Sequence, residues 1–190
     1  KNKLDGIDLD FEWAENEKEY KDYSLAILKM REVLGDKYLF SVSLHPVCYK
    51  ISKEAIEAVD FISLQCYGPS PVRFPIEKYC SDIQMVLEYG IPREKLVAGV
   101  PFYGVTKDNS KKTEAYFNFV QNGLVTSPAQ NEVIYQGDTY VFDGQDNIRI
   151  KTRYAKEQKL KGMMSWDLAT DLPLSDSRSL LKTMTEELRE

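Results

Sequence analysis

The chain is poor in the residues that build metal and nucleophilic centres. Among 190 residues there are one histidine, His45, and three cysteines, Cys48, Cys66 and Cys80. Three is an odd number, and the spacings match no metal-ligand pattern. Neither a disulfide framework nor a zinc site is indicated, no metal or cofactor is called for, and the redox compartment stays open. With no nucleophile beside the single histidine, a catalytic triad is disfavoured, and a hydrogen-bonded rim residue is the better reading of His45. There is no basic run or patch and the formal net charge is −5, which argues against nucleic acid as a partner. No apolar stretch reaches the ~18 residues of a membrane span. Internal repeats and low-complexity linkers are missing too. So is a signal peptide, yet the chain opens abruptly on a strand, and residues ahead of Lys1 are expected.

What is present suffices for one globular domain with a sizeable core: 43% of residues are hydrophobic and 12% aromatic. The most informative stretch is Asp5-Gly6-Ile7-Asp8-Leu9-Asp10-Phe11-Glu12-Trp13. Residues two apart on a strand share a face. Ile7, Leu9 and Phe11 therefore point one way, and Asp8, Asp10 and Glu12 the other, each about 6–7 Å from the next. A solvated edge is the ordinary explanation of acidic residues on a strand. The large apolar residues between them argue instead that the opposite face is packed, and that three carboxylates break the apolar rule of a buried parallel strand. Three like charges so close in a shielded site should leave at least one holding its proton above the usual carboxyl range, as a general acid must.

Strand-like runs at 4–11, 38–44, 59–67, 96–103 and 162–167 alternate with helical patterns at 17–34, 52–58, 75–89, 146–158 and 176–189. Tyr20, Tyr23, Ile27, Met30 and Leu34 share one helical face, with Gly35 as the stop. Tyr79, Ile83, Val86 and Leu87 share another, with Gly90 as the stop, and Ser52 is placed to cap the short helix. Such alternation predicts an α/β fold with parallel strands and crossover helices. Glu132–Tyr135 and Thr139–Phe142, flanking Gln136-Gly137-Asp138, predict a small hairpin inserted after the fourth strand.

Polar and aromatic residues recur at the C-terminal ends of these strands: Asp10 and Glu12, Gln65 and Tyr67, Tyr103, then Trp166 and Asp167. That is where a (β/α)8 barrel builds its site. Parity puts Ser63, Gln65 and Tyr67 on one face and Ile62, Leu64 and Cys66 on the other, toward the helices. Cys66 therefore reads as a packed thiol rather than a nucleophile.

These residues resemble glycoside hydrolase family 18, the chitinase family, whose hallmark is D-G-x-D-x-D-x-E on the fourth barrel strand. Asp5 to Glu12 matches it at every fixed position. Ser63-Leu64-Gln65-Cys66-Tyr67 resembles the family's sixth-strand motif, Gly99-Val100-Pro101-Phe102-Tyr103-Gly104 the seventh, and Gly162-Met163-Met164-Ser165-Trp166-Asp167 the eighth. The order is right, and the resemblance covers essentially the whole chain. It implies one catalytic domain over 1–190, a (β/α)8 TIM barrel represented by strands four to eight, with a small α+β insertion at about 105–145. Strands one to three, with the family's S-x-G-G segment, are not in the chain. A barrel of this kind usually has ~250 residues, so a fragment, or a protomer completed by the missing N-terminal half, is expected.

The resemblance also implies roles. Glu12 would protonate the glycosidic oxygen and later activate water. Asp10 would hold the substrate acetamido group, Asp8 would share a proton with Asp10, and Tyr67 would donate to the acetamido oxygen. Trp166 would stack beneath the sugar. Gln65 and Tyr103 either line the cleft or pack at its rim, and Trp13 either packs under a loop or lines the cleft. The family's sixth-strand Tyr is usually followed by Asp, whereas Gly68 follows Tyr67 here, which removes one polar contact. The implied activity is hydrolysis of β-1,4 linkages in N-acetylglucosamine-containing glycans such as chitin or chito-oligosaccharides, outside the cytoplasm: secreted, periplasmic or at the cell surface. N-glycan cores, peptidoglycan, or carbohydrate binding without catalysis are the alternatives.

Overall fold

The computed structural model describes residues 3–67, 74–108 and 112–189. Gly68, the departure noted above, lies outside the described residues. The chain runs β1 (Gly6–Asp10), α1 (Glu17–Leu34), β2 (Leu39–Leu44), α2 (Lys53–Ala58), β3 (Phe61–Leu64), α3 (Ile76–Tyr89) and β4 (Leu96–Pro101). It continues with β5 (Tyr103–Thr106), β6 (Thr113–Ala115), α4 (Tyr116–Gln121), β7 (Glu132–Tyr135), β8 (Asp138–Val141), α5 (Gln145–Glu157), β9 (Gly162–Trp166) and α6 (Leu180–Arg189). Five strands form a parallel sheet in the order β1-β2-β3-β4-β9. The α/β class and the strand–helix alternation are as the sequence predicts.

Local chemistry explains the boundaries. Asn16 caps α1 by accepting the Glu19 N–H at 3.1 Å, and Ser52 caps α2 by accepting the Ala55 N–H. Gly90 ends α3 at φ 114°, a left-handed conformation that a side chain would strain. The last helix starts at Leu180, four residues later than the pattern predicts. Ser179 Oγ accepts the Lys182 N–H, and the Asp171 carboxylate accepts the Leu180 and Leu181 N–H groups. These two residues satisfy donors that a helix start leaves open.

The sheet has two unlike faces. Phe40, Val42, Leu44, Ile62, Leu64, Ala98 and Val100 alternate along β2, β3 and β4, and all are buried. They share one core cluster with Ile27 of α1, Ala55 and Ile56 of α2, and Tyr79, Ile83 and Val86 of α3. The opposite positions on these strands, and the facing positions of β1, are Asp8, Asp10, Ser41, Ser43, Ser63 and Gly99. Register keeps them level: Asp8 is beside Ser41, Asp10 beside Ser43, and Ser43 beside Ser63.

Two expectations need correction. First, β1 is only partly buried on its apolar side, where Leu9 packs against the core cluster. It is an outer strand paired with β2, and Ile7 and Phe11 remain 44% and 43% exposed, although the Phe11 ring lies 5.0 Å from that of Tyr23. Secondly, the run 96–103 is not one strand. β4 stops at Pro101, and Tyr103 begins β5 in a separate antiparallel sheet of order β6-β5-β8-β7. The expected inserted hairpin is present after β4, and it does not stand alone. The β7–β8 hairpin is there, but its loop is only Gln136 and Gly137, both with positive φ as a type I′ turn requires. It joins β5, β6 and α4, packed around Phe119 with Tyr140 and Phe142.

Candidate active site

The polar face of the parallel sheet lines a cleft of about 700 Å³ at the C-terminal ends of the strands. All seven residues singled out from the sequence border it: Asp8, Asp10, Glu12, Gln65, Tyr67, Tyr103 and Trp166. The first three enter because β1 presents alternate residues to one side. Gly6 sets the position of β1, since a Cβ there would lie 2.2 Å from the Leu39 carbonyl oxygen. Only glycine lets β1 approach β2 so closely at that point.

The carboxylates climb β1 with different partners. Asp8 is deepest and accepts from two hydroxyls, Ser41 Oγ on one oxygen and Ser43 Oγ on the other, the latter at 2.9 Å. Asp10 Oδ1 accepts from Gln65 Nε2 at 3.1 Å. Glu12 lies past the strand end, with Oε1 2.9 Å from His45 Nε2. Burial first, then the Glu12 and Asp8 charges, push the Asp10 carboxyl above its usual range; the hydrogen bond from the Gln65 amide opposes this only in part.

A short relay runs from Asp10 across the floor. Gln65 donates to Asp10 through Nε2 and accepts from the Tyr67 hydroxyl through Oε1 at 3.2 Å. Both residues lie just beyond the end of β3, in a turn rather than on the predicted strand, and both are buried. Burial, chiefly, holds the Tyr67 hydroxyl protonated well above the ordinary phenol range. A Cβ on Gly99 would come within 3.1 Å of the Tyr67 ring, so that glycine makes room for it.

Aromatic rings form the other wall. Tyr103 meets Tyr67 edge-on with centroids 6.4 Å apart. Trp166, last residue of β9, is 56% exposed, and Trp13 stacks on His45 at 4.3 Å. Trp13, left open by the sequence, lines the cleft. His45 is hydrogen-bonded as expected, but it is buried in the wall rather than placed on the rim. Cys66 is a buried thiol on the helix side, and burial raises its pKa.

The model of the family described as "Glycosyl hydrolases family 18" matches residues 1–171. The chain belongs to glycoside hydrolase family 18. Probable chitinase 2 of Drosophila melanogaster is 23% identical over 235 residues, covering 90% of this chain and 48% of that protein. The family 18 chitinase ChiB of Flavobacterium johnsoniae superposes with a TM-score of 0.79 at 27% identity, over 97% of this chain and 60% of that one. A chitinase from Bacteroides thetaiotaomicron gives a TM-score of 0.84 at 20% identity, with 97% and 63% covered. The chain thus spans about half the length of the curated relatives it matches. The five parallel strands and their helices are those of a (β/α)8 chitinase fold.

Sequence reasoning missed Ser41 and Ser43, although the signal was there. In Phe40-Ser41-Val42-Ser43-Leu44 the serines alternate with buried apolar residues, which puts them on the carboxylate face. Met164, Ser165 and Phe61 also line the cleft. Phe61 and Ser165 carried no distinguishing pattern.

Proposed function

We propose that this chain carries the reacting groups of a retaining, substrate-assisted glycosidase that cleaves β-1,4 linkages next to N-acetylglucosamine, with chitin or chito-oligosaccharide as substrate. The observation that carries the reading is the graded carboxylate row, Asp8, Asp10 and Glu12, along one wall of a cleft edged by the exposed Trp166 ring. Most retaining glycosidases use a carboxylate nucleophile, and family 18 is among the exceptions in which the substrate assists. Glu12, past the strand end, gives its proton to the glycosidic oxygen as the C1–O bond breaks. The acetamido carbonyl oxygen bonds to C1, forming an oxazolinium ion. Water then attacks C1, the bond from C1 to the acetamido oxygen breaks, and the water's proton passes to Glu12. Asp10 accepts from the acetamido N–H and offsets the positive charge that develops. Asp8, tied to Ser41 and Ser43, sets the electrostatics beneath it. The Tyr67 hydroxyl turns from Gln65 to the acetamido oxygen, and Trp166 supplies an apolar platform for a sugar face. Gln65 and Tyr103 shape the cleft floor.

Related proteins named as chitinases support chitin over N-glycan cores or peptidoglycan. The reading puts the protein where such polymers occur, outside the cytoplasm. No helix among the described residues is long and apolar enough to cross a membrane.

Hydrolysis of a fluorogenic N-acetylglucosamine oligomer by the full-length protein tests the proposal. Turnover abolished by Glu12→Gln, with the β-anomer appearing first by NMR, is the expected result. First appearance of the α-anomer excludes substrate assistance. Tight binding of the oligomer without turnover makes the chain a sugar-binding member of the family.

A further inference from the structure

We infer that His45 is a positioning residue for Glu12: it fixes the rotation of the carboxyl and assigns the catalytic proton to Oε2. The inference rests on the proposed role of Glu12 as the acid. Four observations carry it. His45 Nε2 lies 2.9 Å from Glu12 Oε1, a full hydrogen bond between residues 33 positions apart. The imidazole is 5% exposed, so its rotation is constrained by packing. Its backbone is pinned by reciprocal bonds with Cys48, N–H to carbonyl in both directions. Its ring face lies against Trp13, the residue after Glu12, at 4.3 Å. Glu12 is therefore held from two sides, by a hydrogen bond to its head and by stacking of the next residue.

The remaining nitrogen decides the chemistry. Nδ1 is buried and has no hydrogen-bond partner among the described residues. A buried N–H without an acceptor costs more than a bare ring nitrogen, because the donor loses its water and gains nothing. The doubly protonated ring would put such an N–H there, and so would the Nδ1–H tautomer. The geometry thus selects the neutral ring with its hydrogen on Nε2. That hydrogen is donated to Glu12 Oε1, and one carboxyl oxygen is occupied as an acceptor. The proton Glu12 delivers then sits on Oε2. A neutral donor also avoids the cost of an imidazolium, which would hold Glu12 ionised and unable to act as an acid. The titratable groups facing this ring are Glu12 and Asp10 from β1 and its extension, with Cys48 across the backbone bridge.

The tautomer is testable in the unaltered full-length protein. A long-range 1H–15N spectrum, with the His45 signals assigned by their loss in His45→Gln, is expected to show a neutral ring protonated at Nε2 at about pH 7. An imidazolium or an Nδ1–H ring there overturns the inference, and this readout needs no variant to remain active. The kinetic arm compares His45→Ala with His45→Gln, whose amide N–H can replace Nε2–H. In His45→Ala, kcat is expected to fall about tenfold or more with KM changed less than about twofold, since the lost interaction acts on proton transfer. The basic limb of the pH profile is expected to move upward, because a donor to the carboxylate has gone. His45→Gln should restore both. An unmoved basic limb in His45→Ala, or equal losses in the two variants, overturns the positioning role. A Glu12→Gln variant that keeps full activity defeats the parent reading instead, so the two failures are distinguishable.

Discussion

The two faces of the five-stranded sheet are made by the same strands and built to opposite rules. On the helix side, Phe40, Val42, Leu44, Ile62, Leu64, Ala98 and Val100 pack against α1, α2 and α3 at 1% exposure or less. On the cleft side, one residue along, stand Asp8, Asp10, Ser41, Ser43, Ser63 and Gly99. A one-residue step in the chain exchanges apolar burial for hydrogen-bonded polarity, because the strand period is two. The first face gains from area removed from water, at roughly 25 cal/mol per Å². The second gains little of that and places charges where burial, and then repulsion from Glu12 and Asp8, raises the pKa of Asp10. Stability is drawn from one side of the sheet so that reactivity can be kept on the other.

If the faces are separate, substitutions should separate too. The largest effect is expected at Glu12→Gln, which removes the proposed acid while keeping its shape. General acid–base catalysis is worth about 10²–10⁴-fold, or ~3–5 kcal/mol of barrier, and kcat should fall by that factor while the melting temperature stays near wild type. Leu64→Ala is expected to do the reverse. Leu64 is fully buried, and truncation should cost about 2–5 kcal/mol in urea unfolding, with kcat retained under conditions where the protein is folded. A Glu12→Gln variant destabilised as much as Leu64→Ala would show that the carboxylate row also holds the fold together.

The same period of two made the division legible in the sequence. Ile7-Asp8-Leu9-Asp10-Phe11-Glu12 assigned faces without a structure, and Ser52, Gly35 and Gly90 marked helix ends through capping chemistry that acts within a few residues. What could not be read depends on contacts between distant segments. The His45–Glu12 bond needs the parallel register of β1 and β2. Tyr103 looked like the end of a strand because Leu96 to Tyr103 is one apolar run. The break comes from tertiary pairing, with β4 bonded to β9 and β5 to β6 and β8.

Gly99 is where the two faces should fail to separate. It lies on β4 facing the cleft, and a Cβ there would sit 2.7 Å from the Leu64 carbonyl oxygen, 3.0 Å from Met164 Cε and 3.1 Å from the Tyr67 ring. The side chains can shift, but the backbone oxygen cannot without disturbing β3. Gly99→Ala is therefore expected to lower stability by about 1–3 kcal/mol, the usual cost of overpacking. It should also displace Tyr67 and raise KM for the oligomer. Loss of activity with unchanged stability would mean that β3 yields more easily than its buried partners suggest.

The smallest effect has the opposite sign. Asp10 has its pKa raised by burial and by the Glu12 and Asp8 charges. Between the ordinary aspartate pKa and this higher value the folded state binds more protons than the unfolded one, so stability falls as pH rises through that window. Above it, the ionised Asp10 is a standing cost to the fold. Asp10→Asn removes the charge and keeps an oxygen for the Gln65 amide. Because the group is only partly buried and solvent screens it, the gain is a few tenths of a kcal/mol at about pH 7. It should shrink with added salt, which screens the part due to Glu12 and Asp8, and vanish at about pH 3, where aspartic acid is neutral in both states. Activity should be lost in the same variant, since Asp10 no longer offsets the developing charge. Paired urea titrations at the two pH values measure the difference directly. A stabilisation that persists at the acid end would trace to packing around Asn rather than to repulsion along β1, and the contrast between the two faces would then owe less to charge than the carboxylate row implies.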